Sequence, residues 1–512
     1  MGVPRDLLVI SDLTVSLDGA KNVLENVSFQ LDHGEVVGLI GPSGSGKSVL
    51  SKCILGLIPP QLIKGGVINF HSATGAIDML QYKKAQHALG KEISMIFQEG
   101  KTALNPVIKS GKQIANILMK HKKIGSAIAK EQALSAMVEL GLAKSTYSKY
   151  PHQLSGGEAQ RIMFLLATIC EPKLVIADEA TSSLDKTNEN LLVNRLKKLN
   201  NEKGTSILFI SHDLELVKHL ANRIVSIKNG RLSKEPSRNS QKLNSKEFRP
   251  LRGSEPILEV SNIGCGIKSD YDLLNRKPTK KIIDNVSFVV DERSILGIVG
   301  NSGSGKTSLS RCILQLFEHS GKSTFNGIHL EKLGKLSLQK IRKDIQIIFQ
   351  DPFLSLNPKI RIKSAFLEAM KVYGIGENTS ERILQITEML NRTGIDADKL
   401  ERFPHELSGG ERQRICIARV MLLKPKLVIL DEPVSSLDAN ARAGVINLLL
   451  DLKDQFELTY LFISHDLRLI NFVADKVLVL EEGRIVEQGL THEVLHNPKT
   501  DYTKSLMAGH NF

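Results

Sequence analysis

The sequence has no tryptophan, and aromatic residues make up only 5% of its 512 positions. So sparse a supply argues against the aromatic platforms on which single-stranded nucleic acid stacks. Cysteine is scarce as well. Cys53, Cys170, Cys265, Cys312 and Cys416 are scattered, with no CxxC pair and no Cys/His cluster. That spacing argues against a structural zinc or an iron–sulfur site and predicts small buried thiols in a reducing cytosol. No unbroken apolar run is long enough to cross a bilayer, and the N-terminus has no signal-peptide pattern. Basic charge, by contrast, is plentiful, at a net +13. It suits a nucleic acid, an anionic membrane or merely a lysine-rich solvated surface, and charge alone does not choose among them. With 41% hydrophobic and 24% charged residues, the composition is that of a globular protein, and the length predicts two or more domains.

One stretch organises the rest. Gly41, Pro42, Ser43, Gly44, Ser45, Gly46, Lys47 and Ser48 write G-x-x-x-x-G-K-[ST]. The apolar run 36–40 before it reads as a buried strand, and 49–57 after it as the start of a helix. This is the strand–loop–helix setting of a phosphate loop. Glycines let backbone N–H groups close around phosphate oxygens, and the helix N-terminus adds its positive dipole end. Lys47 can neutralise the outer phosphates, and the Ser48 hydroxyl can bind Mg²⁺. The chain then repeats the pattern as Gly300, Asn301, Ser302, Gly303, Ser304, Gly305, Lys306 and Thr307, behind the strand-like run 294–299.

Lys47 and Lys306 lie 259 positions apart, and each half passes through the same stations. VLENVSFQL at 23–31 matches IIDNVSFVV at 282–290, both alternating as antiparallel strands do. ISMIFQ ends at Gln98 and IQIIFQ at Gln350. The stretches 99–153 and 351–406 have helical periodicity and read as a helical subdomain inserted into each α/β core. LSGGE follows at 154–158 and 407–411, each opening a helix. Next come the strands LVIADE and LVILDE, then SSLD at 182–185 and 435–438, then ILFISHD and YLFISHD. Ser155 to Asp178 spans 23 positions, as does Ser408 to Asp431, and Asp178 to His212 spans 34, as does Asp431 to His465. The polar, non-periodic stretch 233–255 reads as a linker. The domains are therefore expected at 1–232 and 256–482, with an extension at 483–512 that has no counterpart in the first half.

Each station suggests a role. Asp178 and Asp431 end apolar strands, where a carboxylate faces the crevice at the carboxyl edge of a parallel sheet; Mg²⁺ is the expected partner. Glu179 and Glu432 come next and would act on the attacking water, as general base or as orienting group. His212 and His465 could donate to the γ-phosphate and hold that glutamate and water in place. Gln98 and Gln350 could touch Mg²⁺ or water. Ser155, Gly156, Gly157 and Glu158, with Ser408, Gly409, Gly410 and Glu411, form a second anion cradle without a lysine. No use within its own half is evident, so it is expected to complete a site on another domain.

This ordered set resembles the nucleotide-binding domain of ATP-binding cassette (ABC) proteins, twice over and across nearly the whole chain. The resemblance implies two P-loop NTPase α/β domains in tandem, each with an antiparallel β subdomain and an inserted helical subdomain. It implies an intramolecular head-to-tail pair that sandwiches two ATP molecules with Mg²⁺ and hydrolyses both. Site one would use Lys47, Ser48, Gln98, Asp178, Glu179 and His212, closed by 408–411. Site two would use Lys306, Thr307, Gln350, Asp431, Glu432 and His465, closed by 155–158. Asp185 and Asp438 would lie across the interface. Two departures stand out: Ala180 stands where the second half has Pro433, and Leu17 and Ile267 stand where the family has an adenine-stacking aromatic.

A narrower resemblance lies in FQDPFLSLNP at 349–358, its cruder copy FQEGKTALNP at 97–106, and the tail GRIVEQGLTHEVLHNPKTDYTKSL at 483–506. These look like the ATPases that energise import of dipeptides, oligopeptides or nickel, here fused into one chain. That family works at the cytoplasmic face of the bacterial inner membrane. It docks on two transmembrane permease subunits and is served indirectly by an extracytoplasmic substrate-binding protein. No nucleic acid is expected. A tandem cassette protein acting on ribosomes is the alternative from another class. It is disfavoured by the lack of a long charged arm between the halves.

Overall fold

Continuous apolar runs lay down the parallel strands of this chain, and alternating ones its antiparallel strands. The computed structural model describes residues 6–16, 22–42, 44–72, 75–97, 100–181, 186–211, 213–233, 255–267, 280–301, 303–350, 355–435, 437 and 439–508. Ser43, Gln98, Asp185, His212, Ser302, Asp438, Leu17 and nearly all of the expected linker lie outside them. The chain divides into two units, Met1–Ser240 and Gln241–Phe512.

In the first unit a six-stranded sheet runs in the order Arg231–Ser233, Arg223–Lys228, Val36–Ile40, Ser206–Ile210, Leu174–Asp178, Ile93–Ile96. Five strands are parallel, and the hairpin strand Arg231–Ser233 is antiparallel. Every residue of Val36–Ile40, Leu174–Asp178 and Ser206–Ile210 is buried, as expected where both faces of a parallel sheet are covered. The strands share their side chains between two cores. Val37, Leu39, Leu174, Ile176, Leu208 and Ile210 face the antiparallel sheet and the helix Lys47–Ile54. Val36, Ile40, Val175, Ala177, Ile207 and Phe209 face the inserted helices Ser110–Lys122 and Ser126–Glu139 and the helix Gly156–Thr168. The antiparallel sheet has the order Asn22–Asp32, Asp6–Ser16, Ile63–Ser72, Gly75–Asp78.

The second unit repeats this plan. Its main sheet runs Ile345–Ile348, Leu427–Asp431, Thr459–Ile463, Ile295–Val299, Lys476–Glu481, Arg484–Leu490. Its antiparallel sheet runs Lys280–Asp291, Pro256–Ile267, Ser320–Phe325, Ile328–His329. The inserted helices are Ile362–Val372 and Thr379–Arg392.

Three details differ from the sequence reading. The helix after each phosphate loop starts at its lysine, Lys47 or Lys306, because the loop glycine just before serves as its N-cap. The extension at 483–512 is not wholly an addition. Its first stretch, Arg484–Leu490, is the antiparallel edge strand of the second sheet and corresponds to Arg231–Ser233 in the first. The helices Thr491–His496 and Asp501–Ala508 have no counterpart among the described residues of the first unit. Finally, Cys53, Cys312 and Cys416 are buried, but Cys170 and Cys265 are half-buried. Among the described residues, no helix is long and apolar enough to cross a membrane.

Candidate functional site

In each unit the chemistry-bearing residues follow the carboxyl ends of four neighbouring parallel strands. In the second unit, Ile345–Ile348 leads to Gln350, Leu427–Asp431 to Glu432, Thr459–Ile463 to His465, and Ile295–Val299 to the phosphate loop. Strands about 4.8 Å apart thus bring to one edge groups that lie far apart in sequence.

The phosphate loops are shaped by glycine. Gly46 and Gly305 have φ of 104° and 105°, a region that side chains rarely adopt. A Cβ on Gly46 would lie 2.7 Å from Leu24 Cδ2, and one on Gly305 2.6 Å from Ile283 Cδ1. The buried lysines fold back on their own loops. Lys47 Nζ donates to the carbonyls of Gly41 and Pro42 at 2.8 and 2.9 Å, and Lys306 Nζ to those of Gly300 and Asn301 at 2.8 and 3.0 Å. Ser45 Oγ and Ser304 Oγ are buried without a hydrogen-bond partner among the described residues. Orphaned buried hydroxyls are rare; here they belong to a cradle that an anion would satisfy.

The strand-end carboxylates sit beside the helix that follows the loop. Thr307 Oγ1 donates to Asp431 Oδ1 at 3.1 Å, and Ser51 Oγ to Asp178 Oδ2 at 3.2 Å. Asp178 Oδ1 is buried with no partner among the described residues. Burial pushes the Asp431 carboxyl up to about 6, helped by Glu432 and opposed by the Thr307 hydroxyl, Lys306 and Arg311. Burial also raises Asp178, against the hydroxyls of Ser48 and Ser51. A desolvated carboxylate beside a hydroxyl is a hard-oxygen donor set short of a cation, and it fits Mg²⁺. Among the described residues no group of three or more His, Cys, Asp or Glu could hold a metal. The ion would therefore share its coordination with phosphate oxygens and water.

Glu179 and Glu432 have φ of 46° and 48°, in the left-handed region that costs a side-chain-bearing residue about 1 kcal/mol. Each backbone N–H is tied to the neighbouring strand, Glu179 N to Ile210 O at 2.9 Å and Glu432 N to Ile463 O at 3.0 Å. The turn swings both glutamates out of the strand line. His465 Nδ1 and Gln350 Nε2 reach the two oxygens of Glu432, at 3.1 and 2.9 Å. Gln350 thus meets the glutamate rather than Asp431. Burial works against the Glu432 charge, but His465, Lys306 and Gln350 outweigh it and leave the carboxyl lowered. Burial likewise pulls His465 down, and Glu432 with Asp466 leaves it raised.

The Ser-Gly-Gly stretches do have a use within their own half, contrary to expectation. Ser155 Oγ accepts from Glu158 N at 3.2 Å, and Glu158 Oε2 accepts from Ser155 N at 2.8 Å. Ser408 and Glu411 repeat this capping box at 3.3 and 2.8 Å, satisfying donors that a helix start leaves unpaired. Glu158 is held further by Lys149 at 3.0 Å, and Glu411 by Lys399 at 3.4 Å. Both serines remain exposed.

Two contacts carried no sequence signal. Gln160 Nε2 donates to the carbonyl of Ala180 at 2.6 Å, tying the Gly156–Thr168 helix to the turn after Glu179. Tyr502, from the last helix, accepts from Asn301 N at 3.0 Å across 201 positions.

Comparison with known proteins agrees with this geometry. A model of the ABC transporter family matches residues 24–182 and 283–435. The chain is 37% identical to the peptidoglycan transport ATP-binding protein YejF of Agrobacterium fabrum, covering 98% of this chain and 96% of that protein. It is 36% identical to an uncharacterised ABC transporter ATP-binding protein YejF of Escherichia coli, over 98% and 99%. It is 34% identical to the glutathione import ATP-binding protein GsiA of Salmonella choleraesuis, over 98% and 89%. Two family matches in one chain, each holding its own phosphate loop and strand-end Asp-Glu pair, carry the conclusion: this protein belongs to the ABC transporter family, as a tandem pair of its ATP-binding, ATP-hydrolysing domains.

Proposed function

We propose that this chain energises import of di- or oligopeptides through a bacterial inner-membrane transporter. It would bind two transmembrane permease subunits at their cytoplasmic face, with cargo delivered by an extracytoplasmic binding protein. The observation that carries the reading is the double set of catalytic stations in a chain whose whole length aligns with relatives named for peptidoglycan transport and glutathione import, both peptide-containing cargoes. Nickel or a metal–chelator complex is the remaining cargo within the same resemblance.

The two domains would pair head to tail. Lys47, with its loop Gly41–Ser48, would hold one ATP against Ser408–Glu411, and Lys306 the other against Ser155–Glu158. Binding requires each lysine to exchange its own loop carbonyls for β- and γ-phosphate oxygens. Mg²⁺, held by Ser48 with Asp178 or by Thr307 with Asp431, would offset phosphate charge. Glu432 is ionised and gripped at both oxygens, an arrangement suited to orienting a water for in-line attack on the γ-phosphorus. As the new P–O bond forms and the bond to ADP breaks, the water proton passes to the carboxylate. Glu179 would act alike in the first site. ATP binds the closed pair better than the open one, and that difference drives the permease.

The test is uptake by cells lacking this chain, offered labelled dipeptide, a longer peptide and nickel. Peptide uptake should be lost and return with the wild-type chain but not with Lys47→Ala plus Lys306→Ala. Unchanged peptide uptake would overturn the peptide reading, and loss of nickel uptake alone would replace it.

A further inference from the structure

The helix Asp501–Ala508 reaches the second phosphate loop and has no equivalent at the first among the described residues. The Tyr502 hydroxyl accepts a hydrogen bond from Asn301 N at 3.0 Å. Asn301 is the second residue of its loop, and the matching residue of the first loop is Pro42, which has no N–H to offer. The donor and its acceptor thus occur together in the second unit. In the first, the loop lacks the donor, and the chain after Arg231–Ser233 has no matching helix among the described residues.

The helix that carries Tyr502 is firmly seated. Glu487, on the edge strand Arg484–Leu490, accepts from Lys499 N at 2.9 Å and from both N and Oγ1 of Thr500 at 3.1 Å. Thr500 Oγ1 then accepts from Thr503 N at 3.2 Å, and Thr503 is buried. Tyr502, Leu506 and Met507 pack against the core of the second unit. The same Asn301 whose N–H meets the phenol uses its carbonyl to accept from Ser304 N at 3.1 Å and from Lys306 Nζ at 3.0 Å. One residue therefore joins the C-terminal helix, the turn of the loop and the phosphate-binding lysine.

We propose that Tyr502 is a positioning residue of the second ATP site, bracing the phosphate loop through Asn301 and making the two sites unequal in nucleotide affinity. The inference rests on the reading of the Lys306 loop as an ATP site. A loop held in its binding geometry loses less freedom when phosphates arrive, so the brace acts on affinity rather than on the hydrolytic step.

The test uses the full chain with Lys47→Ala, which silences the first site. ATP affinity and turnover are measured with and without Tyr502→Phe, which keeps the ring and its packing but removes the acceptor. Loss of one such hydrogen bond should weaken ATP binding about three- to tenfold, raising KM while leaving kcat nearly unchanged. Asn301→Pro, the residue that the first loop carries, removes the N–H that the phenol accepts from; alone it should weaken binding by a similar factor, and adding Tyr502→Phe to it should cost nothing further. Equal affinity with and without the phenol would overturn the brace. So would a loss of the same size when Tyr502→Phe is added to Asn301→Pro, since the effect would then lie in the packing of the helix. A Lys47→Ala chain that binds no ATP at all would overturn the second-site reading itself, and the brace with it.

Discussion

His465 Nδ1 lies 3.1 Å from Oε1 of Glu432, and the two residues come from adjacent parallel strands. The contact exists because Glu432 turns out of its strand at φ 48°, while His465 follows Thr459–Ile463 one strand closer to the phosphate loop. Gln350, two residues past the edge strand Ile345–Ile348, takes the other carboxylate oxygen at 2.9 Å. Three strand ends thus fix one carboxylate, and its fixed direction is what in-line chemistry needs.

The pair carries a pH signature. His465 is raised above 6.5, so its contribution to stability is full below about 6.5 and is lost as pH rises through its folded value. Glu432 is lowered below 4.5, so its contribution is present above about 4.5 and is lost as pH falls through its folded value. The two overlap between about 4.5 and 6.5. Thermal unfolding of wild type and His465→Gln should therefore differ most within that window, and the gap should shrink as pH rises through the raised folded value of His465. A gap that widens with rising pH would contradict the ion pair.

Glu179→Gln with Glu432→Gln should retain ATP yet slow phosphate release by a factor of about 10² to 10⁴, the range for removal of a positioned base. The amide keeps size and backbone, so nucleotide binding, read by retention of labelled ATP, should be unchanged. Near-normal phosphate release would remove both glutamates from the hydrolytic step.

Much of this site was legible because its signals are local. Glycine spacing around Lys47 and Lys306, apolar runs that stop at Asp178 and Asp431, and equal intervals in two halves need no tertiary knowledge. What escaped depends on contacts or on backbone shape. The left-handed turn at Glu179 and Glu432 occurs at a residue type that rarely adopts it, so nothing in the letters marks it. The capping box of Ser155 and Glu158 is written in the sequence as S-x-x-E, but the cradle-like look of Ser-Gly-Gly hid its local use. Gln160 meeting Ala180, and Tyr502 meeting Asn301, join segments whose approach only packing decides.

The exposed signature serines allow the head-to-tail pairing to be tested by crossing. Ser155→Arg should disable nucleotide hydrolysis at the Lys306 site and spare the Lys47 site, and Ser408→Arg should do the reverse. Trapped nucleotide, located by labelling each site in turn, reads the outcome. Ser155→Ala is the control, since loss of the cap alone should lower stability by about 1 kcal/mol. A Ser155→Arg chain that loses the Lys47 site instead would refute the pairing.

Asp431 offers the sharpest pH test of the metal reading. A carboxyl raised to about 6 is largely protonated at pH 5 and ionised at pH 7.5, and only the ionised form binds Mg²⁺ well. With Lys47→Ala silencing the first site, Mg²⁺-dependent tightening of ATP binding should weaken about tenfold for each pH unit below 6. Binding should release close to one proton there, measurable by titration in buffers of different ionisation heat. Asp431→Asn should abolish both the Mg²⁺ dependence and the proton release while leaving Mg²⁺-free ATP binding in place. The raised value is itself the reason: a buried charge beside Glu432, only partly offset by the Thr307 hydroxyl, Lys306 and Arg311, is unfavourable until a cation arrives. If Mg²⁺ dependence were flat from pH 5 to pH 7.5 and survived Asp431→Asn, Asp431 would not be a holder of the cation.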